Sequence, residues 1–309
     1  MSHVGSALPD TLLQRAAMNE RRVVLVALAI VTALGLWATF HTGDALMSPA
    51  SPAPGTMSYA VLLFIMWWTM MLAMMLPSAA PAILTYGALS RKFAQKGAAT
   101  APLAIFVAGY AAIWTGFSAA TVALQIAVHE LVPLTGMMAV TSTALGATLL
   151  IAAGLYQLSP LKQACLRKCQ TPLMFFAHNW RKGYRGALHM GLSHGLYCLG
   201  CCWVLMGLLF YGGVMELRWI VGLALYVAAE KLIPASTRLS RFMGILLIGW
   251  GLWTISGLAS ASATEHPMRS STKPSVVHLE VESNLLQFSE HPSFHKIQDS
   301  PQDFMSGRP

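Results

Sequence analysis

Long apolar segments separated by short connections dominate this chain and constrain what it can fold into. Most are close to or above about 20 residues, the length that an α-helix needs to cross a bilayer. Hydrophobic residues make up 55% of the chain and charged residues 10%, unlike a soluble domain. The sequence therefore predicts an all-α polytopic bundle of about seven transmembrane helices. The predicted spans are Val23–Phe40, Met57–Tyr86, Pro102–Val128, Met137–Leu158, Gly186–Gly212, Leu217–Ile233 and Phe242–Ser260.

Lysine and arginine are concentrated in alternate connections, and this pattern predicts the topology. The connections after the second, fourth and sixth spans are basic, whereas those after the first, third and fifth contain neither residue. The positive-inside rule then places the N-terminus in the cytoplasm and the C-terminus outside. The pI of about 9.4 thus reflects membrane orientation, and no nucleic-acid partner is expected.

The domain organisation follows from the same pattern. We expect a short cytoplasmic leader, a transmembrane bundle that contains one basic cytoplasmic loop, and a polar tail on the outer side. The tail is rich in Ser, Pro and charge, a composition typical of disorder. The boundaries are 1–22 for the leader, 23–260 for the bundle, 159–185 for the loop and 261–309 for the tail.

Three cysteines lie close together inside the fifth predicted span. On a helix, Met190, His194, Cys198 and Cys201 fall within about 80° of arc, with Cys202 slightly beyond. Such a wall of thiols, thioether and imidazole is typical of a soft-metal site. The alternative is that cysteine is a small residue that packs well between membrane helices.

Methionines are concentrated in the second predicted span. Met66, Met70 and Met74 repeat at i, i+4 and i+8, and Met71 with Met75 forms a second row. The neutral thioether binds Cu(I) without deprotonation, which suits a site of low dielectric constant. The alternative is that these flexible side chains only fill the core.

The two sulfur-rich segments are predicted to lie at the same depth. At about 1.5 Å per residue from opposite ends, Met70 and Cys198–Cys202 both reach roughly the bilayer centre. We therefore expect a pocket between the second and fifth spans. Cys198 and Cys201 are predicted as thiolate ligands, Met70 and Met74 as thioether ligands, and His194 as an admitting or completing ligand.

Two further pairs lie near the predicted inner surface. Cys165 and Cys169 are expected in the basic loop, either as a metal-transfer pair or as two incidental thiols. Glu230 and Lys231 are expected to neutralise each other near the headgroups.

Several of these segments together resemble a bacterial family of unknown function described as predicted metal-binding integral membrane proteins. The resemblance runs from about Trp67 to about Trp253 and implies a membrane location and a metal site. The segments are Met66-Trp67-x-x-Met70-x-x-Ala73-Met74-Met75-x-Pro77, Tyr156-Gln157-Leu158-x-Pro160-Leu161-Lys162-x-x-Cys165-Leu-x-x-Cys169, Gly195-Leu-Tyr197-Cys198-x-Gly200-Cys201-Cys202-Trp203-x-Leu-Met206 and Glu230-Lys231.

The sequence as a whole favours a non-enzymatic protein of the bacterial inner membrane that binds a soft ion, Cu(I) rather than Zn(II), for transport or delivery. Its expected partners are the lipid bilayer, the metal ion, and a membrane metalloprotein or metal carrier. No nucleotide-binding motif is present, so any transport would be driven by a gradient or by exchange. Two alternatives stay open: a membrane thiol-disulfide protein that exchanges electrons with a quinone, and a non-catalytic accessory subunit of a membrane complex.

Overall fold

The structure, a computed structural model, describes residues 10–127, 141–233 and 236–265, and within these ranges all regular elements are helices. This confirms the predicted all-α class. The helices are α1 (Asp10–Met47), α2 (Met57–Ser78), α3 (Ala80–Gln95), α4 (Leu103–Ala127), α5 (Thr143–Leu158), α6 (Pro160–Gln170), α7 (Pro172–Asn179), α8 (Gly183–Gly207), α9 (Leu209–Gly212), α10 (Leu217–Leu232) and α11 (Ser236–Glu265).

Five helical stretches of the described chain are long and apolar enough to cross a membrane, and α5 with α6 forms a sixth if this bent pair counts as one span. Helices form at all seven predicted places. The stretch predicted as the sixth span is α10, which has 16 residues. At about 1.5 Å per residue it extends about 24 Å, less than the hydrocarbon core. The five stretches are Arg21–Met47, Met57–Ser78, Leu103–Ala127, Gly183–Gly212 and Thr237–Gly257.

Contacts divide the chain into two units, 1–259 and 260–309. Residues 10–22 of the predicted leader are helical and belong to α1. Residues 261–265 of the predicted tail belong to α11, and the rest of the tail lies outside the described residues.

Pro77 and Pro81 predict a kink or break near the inner end of the second predicted span, and the helix breaks there. Thr56 caps the start of α2 by accepting a hydrogen bond from the Tyr59 amide at 3.3 Å. Pro77 lies in the last turn of α2, and Pro81 lies in the first turn of α3. The first-turn amides of a helix have no acceptor within the helix, so a proline there costs no hydrogen bond. The chain therefore continues as a second helix.

The segment expected as a basic loop, 159–185, contains two helices. Ser159 caps α6 by accepting from the Lys162 amide at 3.2 Å, and Pro160 occupies the first helical position. The α5–α6 pair bends by 64°, and α6 returns to pack against α8. Lys162 is fully buried, so this part of the predicted basic loop is a packed helix.

Helices α4 and α8 cross at very short distance because glycines face each other there. A Cβ atom at Gly109 would lie 2.5 Å from the Leu188 carbonyl oxygen, and one at Gly191 would collide with the Phe106 carbonyl. Small residues at such crossings allow backbone contact, which is a common way of packing helices in membranes. The crossing brings Tyr110, one residue after Gly109, next to the cysteines of α8.

A buried hydrogen bond fastens α2 to α4. The Trp67 indole donates to the Gln125 side-chain oxygen at 3.0 Å, so this polar side chain of the third predicted span has a partner across the helix interface. Large apolar side chains such as Leu34, Leu225 and Trp253 are exposed on the surface of the helix bundle, as expected where it contacts lipid.

Replacing Gly109 by Ala should push α4 away from α8 and destabilise the protein by about 1–3 kcal/mol, since the added methyl group meets backbone atoms that cannot rotate away. Thermal unfolding in detergent measures this. The control is Gly116→Ala in the same helix, where a Cβ meets nothing within 4 Å. Equal effects of the two substitutions would contradict the close crossing.

Candidate metal centre

Four buried thiols form a connected cluster between α6 and α8, hereafter the thiol cluster: Cys169, Cys198, Cys201 and Cys202. Side-chain contacts link Cys169 to Cys201, Cys201 to Cys202, and Cys202 to Cys198. The Cys201 and Cys202 thiols donate to the Cys198 carbonyl at 3.0 and 3.1 Å, a local bond that orients both sulfur atoms. All are free thiols.

Polar groups from two neighbouring helices converge on Cys198. Its Sγ lies 3.0 Å from the Tyr110 hydroxyl of α4 and 2.9 Å from the Lys231 ammonium of α10. Tyr110 also donates to the Met75 carbonyl at 3.0 Å, and Lys231 donates to the Ser78 hydroxyl at 2.9 Å. Cys198 is therefore held beside the last turn of α2.

The sulfur-rich segments of α2 and α8 meet through Met75. Its Sδ lies 4.0 Å from Cys202 Sγ and 3.9 Å from Lys231 Nζ. All five methionines of the two predicted rows, including the predicted ligands Met70 and Met74, are buried at 0–3% exposure, so none of them faces lipid. The contact between α2 and α8 is made by Met75, about one turn further along α2 than Met70, the residue predicted to lie at the depth of the cysteines. The five are Met66, Met70, Met71, Met74 and Met75.

His194 lies one turn before Cys198 in an aromatic cage. Its ring centroid lies 5.3 Å from that of Phe175 and 6.1 Å from those of Phe106 and Tyr110. The residue is 2% exposed, and its Nδ1 has no hydrogen-bond partner within the described part of the protein. A buried nitrogen in this position could act as a donor or as a ligand.

The predicted inner pair, Cys165 and Cys169, lies on α6 and not in a surface loop. Cys169 is buried and belongs to the thiol cluster. Cys165 is partly exposed, and its sulfur lies against Gly200 of α8, where an added Cβ would come within 2.8 Å. The two thiols therefore lead from the cluster towards the protein surface.

The expected mutual neutralisation of Glu230 and Lys231 is wrong, because each has a different partner. Glu230 pairs with the Lys162 ammonium at 2.7 Å and also accepts from the Tyr226 and Ser240 hydroxyls, both at 2.6 Å. Consecutive residues of a helix point about 100° apart, so the two side chains face different neighbouring helices. Glu230 turns towards α6, and Lys231 turns towards the thiols.

Within residues 10–127, 141–233 and 236–265, no group of three or more His, Cys, Asp or Glu side chains is arranged to hold a metal ion. The cluster instead offers pairs of thiols next to a thioether. Soft thiolate and thioether ligands select Cu(I) among the biological metals, and sulfur ligands also bind Zn(II).

Sequence reasoning missed Tyr110, Ser78 and the contact of Lys231 with the thiols. Tyr110 and Ser78 are isolated polar residues in apolar helices, with no local pattern that points to a site. Lys231 did give a signal, since a lysine inside a membrane protein is costly and needs an explanation. The sequence offers only its neighbour Glu230 as a partner, because the thiols come close to Lys231 only in three dimensions.

A family model described as PpoB2, copper chaperone, matches residues 64–254, more than half of the chain. No curated protein matches the chain. No solved structure matches it.

Replacing Lys162 by Met should destabilise the protein by about 3–5 kcal/mol, because it leaves the Glu230 carboxylate buried without a cation. Thermal unfolding in detergent measures the loss. The double variant K162M/E230Q removes both charges and should recover most of the stability. A double variant as unstable as K162M would contradict this assignment.

Proposed function

The chain belongs to the PpoB2 copper chaperone family, and from this membership and the buried thiol cluster we propose that it binds Cu(I) inside the membrane and passes it to an acceptor. The role is binding and transfer, not catalysis. The acceptor would be a membrane metalloprotein or a soluble metal carrier.

One observation carries the proposal: the Met75 thioether of α2 lies 4.0 Å from the Cys202 thiol of α8, in a site closed to solvent. These sulfur atoms are 127 residues apart in the chain. Sulfur ligands from two helices thus meet in a site without solvent. This suits Cu(I), which prefers soft sulfur ligands and needs neither a carboxylate nor water in its coordination shell.

We assign Cys198 and Cys202 as the thiolate ligands and Met75 as the thioether ligand of the main site. The i, i+4 spacing puts both thiols on one helix face, directed towards the end of α2. His194, one turn away from Cys198, either binds the ion as it enters or completes its coordination shell.

The remaining sulfur atoms suggest a route on both sides of this site. The other methionines of α2 form buried rows that extend from Met75 back towards the outer end of the helix. Cys201 contacts Cys169, and Cys165 beyond it is partly exposed. In this proposal Cu(I) moves along soft ligands from the methionine rows to the thiol cluster and leaves through Cys165.

The proposed setting is the inner membrane of a bacterium. Within the described residues, five or six helices of sufficient length and an apolar outer surface support a multi-pass protein in a lipid bilayer. The distribution of lysine and arginine supports a cytoplasmic N-terminus, which directs Cys165 towards the cytoplasm.

Titration of purified full-length protein with Cu(I), under anaerobic conditions and against a coloured Cu(I) chelator, tests the proposal. Wild type should bind one ion. Structural Zn(II) sites with four ligands contribute about 10–16 kcal/mol, and on the same scale one ligand accounts for roughly 3 kcal/mol, or about 100-fold in affinity. C198S, C202S and M75L should each weaken binding by about that factor.

M57L is the matched control, because Met57 lies in the same helix but is 79% exposed. It should bind like wild type. Wild-type affinity in C198S and C202S would overturn the proposal. So would a cysteine pair that forms a disulfide and cycles with reductant while no copper binds, an outcome that would identify a redox protein instead.

A further inference from the structure

Lys231 is the one lysine or arginine that contacts the thiols within the described residues. It lies near the end of α10, is 6% exposed, and directs its ammonium at Cys198 Sγ, 2.9 Å away. Ser78 and Met75 of α2 contact the same ammonium at 2.9 and 3.9 Å. Three helices thus fix the charge beside the proposed ligands.

No carboxylate balances this ammonium in the described part of the chain. The two other buried charged side chains found there, Lys162 and Glu230, pair with each other. These three residues together leave one net positive charge in the interior. A buried ammonium is costly unless an anion lies nearby, and the groups available to provide that anion are thiols.

The charge of the loaded site depends on the ion. Two thiolates with a monovalent cation carry one net negative charge, which Lys231 balances. Two thiolates with a divalent cation are neutral, so that Lys231 is left as an unbalanced buried charge next to the ion. The attraction and the repulsion both act over a few ångströms in a medium of low dielectric constant, where they are strong.

We propose that Lys231 is the residue that makes the thiol cluster selective for monovalent soft cations, Cu(I) and Ag(I), over divalent ones such as Zn(II). It acts as a fixed counter-charge beside the ligands without being a ligand. The inference rests on the proposed Cu(I) site and adds the basis of its selectivity.

The experiment compares K231M and K231R in purified full-length protein, with Cu(I), Ag(I) and Zn(II) each titrated against a competing chelator. Loss of a residue that contacts the metal ligands but does not itself bind the metal typically costs about 10–100-fold in metal affinity. K231M should lose about that factor for Cu(I) and Ag(I) but retain or improve its affinity for Zn(II). K231R keeps the charge and should keep the wild-type preference.

Two further variants separate charge from structure. S78A removes a neutral contact of the ammonium and should preserve the ratio of Cu(I) to Zn(II) affinity. K231Q, which is neutral but polar, replaces K231M if that variant does not fold, with the same expected result.

Equal losses for all three ions in K231M would show a structural role and overturn the inference, as would wild-type affinity of K231M for all three. In both cases wild type still binds Cu(I), and the proposed function stands. Absence of Cu(I) binding in wild type would instead overturn the proposed function and this inference with it.

Discussion

The Tyr110 hydroxyl holds together the parts of the protein on which the proposed site depends. It donates to the Met75 carbonyl at the end of α2 and lies 3.0 Å from Cys198 Sγ of α8. It can reach both because Gly109 and Gly191 let α4 and α8 approach to backbone contact. The sulfur atoms of α2 and α8 are therefore brought together by a third helix that contributes no sulfur of its own.

Buried charge is the second constraint, and it explains why the site lies next to polar helices within an apolar bundle. The Lys162–Glu230 pair fastens α6 to α10, and α6 brings Cys169 to Cys201. An unpaired charge in the apolar interior costs a large free energy, so the helices pack in a way that places a partner beside each buried charged group. The same reasoning links Lys231 to the thiols and gives the cluster its electrostatic character.

The sequence predicted the features that depend on local pattern. The helical class, the break at Pro77 and the concentration of sulfur on two helices follow from hydropathy, proline chemistry and helical spacing. What it could not predict depends on pairing across the chain. The sequence predicts Lys162 in a basic cytoplasmic loop, because nothing near it indicates its partner Glu230, 68 residues away. Depth alone predicts the meeting of α2 and α8 to within a turn, but which side chain of α2 reaches the thiols, Met75, depends on how α4 packs against both helices.

The most direct test of this account is X-ray absorption spectroscopy at the copper edge of protein loaded anaerobically with Cu(I). The account predicts a shell of sulfur atoms around monovalent copper, with sulfur neighbours lost when Cys198 and Cys202 are replaced by Ser. A shell made of nitrogen and oxygen, or one unchanged by these substitutions, would contradict it.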